Sequence, residues 1–123
     1  MQSKQRKGPT NPIVASLTLK LKVAARENEA SVWQSISKAL EKPRRRRAEI
    51  NLSKIARYTE KNETVVVAGK VLSAGELTDP VTVAALSFSA RAKQKIEAAK
   101  GRAISIEELV AENPSGSGVR ILK

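Results

Sequence analysis

Histidine and cysteine are absent from this chain, and Trp33, Tyr58 and Phe88 are its only aromatic residues. Without cysteine there is no disulfide, no thiolate nucleophile and no sulfur ligand. Without histidine the commonest metal ligand and the usual neutral-pH acid/base group are missing too. No Ser-His or Cys-His pairing can form, and the carboxylates are scattered as helix caps and surface counter-charges rather than as a convergent pair. Gly69-Lys70 and Gly75 lack the order of a P-loop and a following helix. The expectation is therefore a chain that is not an enzyme and has no cofactor, no metal and no small-molecule substrate. No apolar run approaches the roughly 18 residues of a membrane span, and the opening Met-Gln-Ser-Lys-Gln-Arg-Lys is unlike a secretory segment, so a cytoplasmic address without membrane contact is expected.

What is present is aliphatic and basic. The 123 residues suit one domain, and at 41% hydrophobic content with so few rings the core must come from Val, Ile, Leu and Ala. Lys and Arg number 23 against 12 Asp and Glu, a formal charge of +11. The excess is uneven: +3 over residues 1–12, +2 over 13–42, +5 over 43–57, −2 over 58–80, +4 over 81–103 and −1 over 104–123. Such a chain repels itself in a way that a polyanionic partner would relieve.

Residues 1–10, with Lys4, Arg6 and Lys7 and no acid, read as a basic arm or, more blandly, a frayed end. Asn11-Pro12 then opens a helix from about 12 to 28 on which Ile13, Leu17, Leu21 and Ala24 recur at helical spacing, with Leu19 and Val23 as a second apolar stripe suited to a neighbour. Ser31-Val-Trp-Gln34 has the form of a capping box. It predicts a second helix burying Val32, Trp33, Ile36, Ala39 and Leu40 and stopped by Pro43, so that 12–42 is an α-hairpin. Trp33 reads as a core anchor.

Four adjacent arginines, Arg44 to Arg47, follow, with Glu41 and Glu49 as the only nearby acids. Phosphate is their natural counter-charge, a solvated loop or localisation tag the alternative. The remainder, 43–123, reads as an α/β core. A short strand at 49–51 leads to a helix capped by Asn51, with Leu52, Ile55 and Ala56 inward and Lys54 and Arg57 outward. Thr64–Ala68 is a strand that Gly69 breaks and 70–72 resumes, and Val81–Phe88 is a buried strand. Ser89 caps a helix to about Lys100, with Gly101 as its left-handed terminator. Ala92, Ile96 and Ala99 face inward, and Arg91, Lys95 and Arg102 line one rim. Ser105-Ile-Glu-Glu108 is a further capping box, Asn113-Pro114 ends its helix, and 119–122 is a closing strand.

With so few rings, a stacking platform of the RNA-recognition-motif or OB type is disfavoured, and a helix-turn-helix lacks a polar recognition helix. Binding to the shape and phosphates of structured RNA fits better. A chromosome-associated basic DNA-binding protein is the alternative, and a module binding an acidic protein a third reading.

The segments from Arg44 to Tyr58, Val65 to Leu77, Val81 to Ala92 and Gly116 to Lys123 closely resemble the 18e family of archaeal and eukaryotic large-subunit ribosomal proteins, in the archaeal type. The likeness runs from Thr10 to the end. Lys100-Gly101 departs from the paired glycine of many relatives. The resemblance implies an irregular ββα superhelix, related to the C-terminal domain of bacterial large-subunit ribosomal protein fifteen, preceded by the α-hairpin. It also implies a non-catalytic constituent of the large ribosomal subunit, with 23S-type rRNA and neighbouring ribosomal proteins as partners and no homo-oligomer. On that reading Lys4, Arg6 and Lys7 form an arm on the rRNA. Arg44, Arg45, Arg46, Arg47, Lys54 and Arg57 form the main phosphate clamp, and Arg91, Lys95 and Arg102 a second. Leu19 and Val23 meet a protein.

Overall fold

The computed structural model of the chain describes residues 12–42 and 48–122. Its centre is a parallel sheet organised around β2 (Thr64–Leu72). β3 (Thr82–Phe88) lies along one side of β2, with β4 (Arg102–Ser105) beyond it. Two short strands share the other side, end to end. β5 (Val119–Leu122) runs beside Thr64–Val67, and β1 (Ala48–Asn51) runs beside Gly69–Leu72.

Gly69, expected to break the strand, instead lets it continue. The register against β3 shifts between Val67 and Lys70, and a Cβ at Gly69 would run into the carbonyl oxygen of Ala48. The residue is thus a bulge where β1 approaches closely. The four residues of β4 belong to no strand expected from the sequence.

Helices cover both faces. α1 (Pro12–Asn28), α2 (Ser31–Leu40) and α5 (Ile106–Glu112) pack with Val66, Ala68, Ala84 and Ile104 of the sheet. α3 (Leu52–Tyr58) and α4 (Ala90–Ala98) pack with Val65, Val67, Val71, Val83 and Ala85 on the opposite side. A parallel strand buried on both faces reads as a continuous apolar run, which is why Thr64–Ala68 shows no alternation. Each fully buried Val, Leu or Ile here stabilises the fold by about 1.5–3 kcal/mol.

Local details differ from the sequence-based expectation in instructive ways. α1 buries Val14, Leu17, Thr18, Leu21 and Ala24, a continuous stripe at steps of three and four, while Ile13 falls beside it and is 72% exposed. Ser31 does not cap α2. The Ala30 N–H donates to the Ala25 carbonyl at 3.0 Å, closing a tight turn through Glu29 (φ 51°), and Ala30 becomes the cap. Val32 is half-buried, and Ser37 takes its place in the interior, its hydroxyl donating to the Thr18 carbonyl at 3.2 Å. Asn51 precedes α3, but its side-chain oxygen accepts from the Ala74 N–H instead of capping, and Ala56 is exposed. α4 ends at Ala98, and Lys100 (φ 66°), not Gly101, takes the left-handed position. Gly101 is needed for space, since a Cβ there would meet the Val81 carbonyl. The caps at Ser89 and Ser105 form as expected, the latter a full capping box with Glu108.

Candidate nucleic-acid interface

The two helical layers carry different charge. α1, α2 and α5 hold four cations (Lys20, Lys22, Arg26, Lys38) against four carboxylates (Glu27, Glu107, Glu108, Glu112). α3 and α4 hold five cations (Lys54, Arg57, Arg91, Lys93, Lys95) against Glu97 alone. The two helices that supply the outward cations thus share one side of the sheet. Neither has an acid in its first turn, whereas α5 has Glu107 and Glu108 there. Helix N-termini favour anions, so cations placed on α3 and α4 without acidic compensation deepen a positive field on that side. Arg57, Arg91 and Lys93 have no carboxylate partner among the described residues.

Lys95 is different. Its ammonium donates to the carbonyls of Ser73 at 3.0 Å and Gly75 at 2.9 Å, and to Glu76 at 3.2 Å, with the side chain 26% exposed. The same loop is held from α3, where the Ser53 N–H donates to the Ala74 carbonyl at 3.0 Å and Ser53 packs so close to Gly75 (φ 95°) that no Cβ fits. Lys95 therefore ties the loop after β2 to α4, next to the start of α3. Replacing it with Met is expected to cost about 1–2 kcal/mol of stability in denaturant unfolding. The salt dependence of binding to a nucleic-acid polyanion should stay unchanged, whereas loss of a phosphate contact would flatten it by about 0.7–0.9 in log–log slope.

Arg102 lies on β4, off the helical rim on which the sequence placed it, in a bidentate pair with Glu112 at 3.0 and 2.6 Å. Hydrogen bonding from Arg102 holds the Glu112 carboxyl below the usual carboxylate range. Glu63 is lowered as well, by the Glu60 N–H and then by Arg120. Both contributions are complete at neutral pH and are lost as pH falls through those lowered values, and exposure to water keeps them small.

A family model described as "Ribosomal protein 60S L18 and 50S L18e" matches residues 1–123. The chain belongs to this family. Large ribosomal subunit protein eL18 of Methanoregula boonei is 54% identical over 114 residues, covering 93% of this chain and 94% of that protein. The protein of the same name from Methanospirillum hungatei is 50% identical over 119 residues, 97% of this chain and 98% of its own. That from Archaeoglobus fulgidus is 51% identical over 113 residues, 92% and 97%.

In this L18e-family chain the structure brings Lys54, Arg57 and Arg91 to one side of the sheet and turns Lys95 and Arg102 toward partners within the molecule. Lys4, Arg6, Lys7 and Arg44 to Arg47 lie outside the described residues. Leu19 and Val23 are 64% and 39% exposed on α1 and, with Val110 of α5, line a shallow groove of about 400 Å³. Two exposed residues escaped the sequence reading. Lys70 stands opposite Glu49 on β2, and Tyr58 ends α3. Tyr58 could have been found from its spacing to Lys54. Among the described residues no helix is long and apolar enough to cross a membrane.

Proposed function

We propose that the protein is a non-catalytic constituent of the large ribosomal subunit that binds and stabilises folded large-subunit rRNA through its phosphates, and so serves translation in the cytoplasmic ribosome. The observation that carries this reading is the contrast between a neutral helical layer and a cationic one in a member of a ribosomal protein family. The phosphate contacts are assigned to Lys4, Arg6 and Lys7, to Arg44 to Arg47 with Lys54 and Arg57, and to Arg91. Lys95 serves the same surface by fixing the loop after β2, while Arg102 ties the start of β4 to α5. Leu19 and Val23 are assigned to a neighbouring ribosomal protein, since exposed aliphatic side chains gain nothing from a phosphate backbone.

The chain is taken to act as one domain, with α1 and α2 as its hairpin. The succession of β2, β3 and α4 supports a ββα superhelix for the rest. The test is sedimentation of the native protein from cell extract at low and high salt, with and without ribonuclease. It should travel with the large subunit and be released by ribonuclease or high salt. Co-sedimentation with nucleoid DNA that ribonuclease leaves intact would support the DNA-binding alternative instead.

A further inference from the structure

Of the three aromatic residues, Trp33 is fully buried and Phe88 packs against the core beneath α3 and α4, while Tyr58 is 48% exposed. The ring belongs to the last residue of α3, a helix with no carboxylate. Lys54 and Tyr58, four residues apart, are neighbours on the helical surface, and Arg57, three residues from Lys54, lies on the other flank of Lys54 at the same helix end. Helical side chains lean toward the N-terminus, which directs the ring back over the turn that carries Lys54.

Nothing in the following chain stacks a further turn there. Thr59 adopts an extended conformation (φ −126°, ψ 156°), is buried, and donates its hydroxyl to the Ile55 carbonyl at 2.6 Å. The helix ends abruptly and leaves an exposed aromatic ring beside Lys54, with Arg57 beyond it. A protein partner would have to desolvate those cations to reach the ring. RNA satisfies both features at once, because an unpaired base offers a π face while the phosphates on either side of it meet Lys and Arg.

We propose that Tyr58 stacks on an unpaired base of the bound RNA, with the adjoining phosphates held by Lys54 and Arg57. This rests on the RNA-binding reading above and adds to it one point of contact that depends on RNA secondary structure. The test is equilibrium binding of the full chain to a transcript of large-subunit rRNA and, separately, to a fully paired RNA duplex.

Tyr58→Leu should weaken binding to the transcript by about 5- to 100-fold without altering the salt slope, and should bind the duplex as the parent chain does. Tyr58→Phe should retain transcript affinity, and the joint Lys54→Gln, Arg57→Gln variant should flatten the salt slope on both RNAs. Circular dichroism of each variant establishes that it is folded. Undiminished transcript binding by folded Tyr58→Leu would overturn the stacking contact while leaving the RNA-binding reading intact, as would an equal loss on the duplex. Failure of the parent chain to bind either RNA would strike the functional reading itself. If Tyr58→Leu binds both RNAs normally but loses a neighbouring ribosomal protein during subunit assembly, the ring faces protein and the proposal fails.

Discussion

Trp33→Ala is expected to destabilise the protein by about 3–5 kcal/mol, which for a domain of this size is a large part of the whole. Trp33 is fully buried within the layer formed by α1, α2 and α5, and its indole Nε1–H donates to the Pro114 carbonyl at 2.7 Å. That bond ties α2 to the turn before β5, 81 residues away in sequence. Gly116 (φ 69°) completes the fit, since a Cβ there would collide with Val32 and come within 3.6 Å of the indole ring. Alanine would open a cavity and release the turn that delivers β5 to the side of β2. Trp33→Phe keeps most of the volume and loses the hydrogen bond, so about 1–2 kcal/mol is expected. Urea unfolding followed by circular dichroism measures both. Equal losses for the two variants would mean that the hydrogen bond, and not the packing, is the main contribution.

The features legible in the sequence are those whose causes are local. Ser105 and Glu108 cap each other across three residues, Ser89 receives the Ala92 N–H, and the apolar run of β2 announces a strand buried on two faces. What was not legible depends on partners far away in the chain. Asn51 has the chemistry of a cap, but its side chain is taken by Ala74, and Ser31 loses its capping role because the preceding turn closes one residue earlier. The expected basic rim of Arg91, Lys95 and Arg102 assumed a helix continuing through residue 100. Lys100 turns left-handed and delivers Arg102 to a strand too short to carry a pattern of its own. The engagement of Lys95 by carbonyls 20 and 22 residues earlier has no sequence signature. Charge by segment was readable, but its arrangement was not. Only the fold shows that α3 and α4 lie on the same side while the acids of α5 neutralise the other. The exposure of Tyr58 is not legible either, because a count of aromatic residues over the whole chain does not say which ring lies at the surface.

The largest effect on binding is expected from Arg44 to Arg47, which bring four guanidiniums into the chain immediately before Ala48, the residue that opens β1 beside Gly69. Each phosphate neutralised on RNA releases counterions worth about 0.7–0.9 in the slope of log K against log salt. A clamp of six cations, the four arginines with Lys54 and Arg57, therefore predicts a slope of about −4 to −5. Affinity should then fall about 10²- to 10³-fold between 50 and 200 mM salt. Replacing all four arginines with Ala should remove about 3–4 of that slope, provided each meets a phosphate. The thermal transition should be little changed, because removing four adjacent like charges relieves repulsion as well. The joint variant separates a clamp from a merely solvated charge run, since a solvated run contributes to long-range attraction but releases few bound counterions. An unchanged slope would reject the clamp. A slope reduced by about one would mean that a single arginine makes contact, and binding would then rest on the α3 and α4 layer, where Arg57 and Arg91 would be the next residues to neutralise.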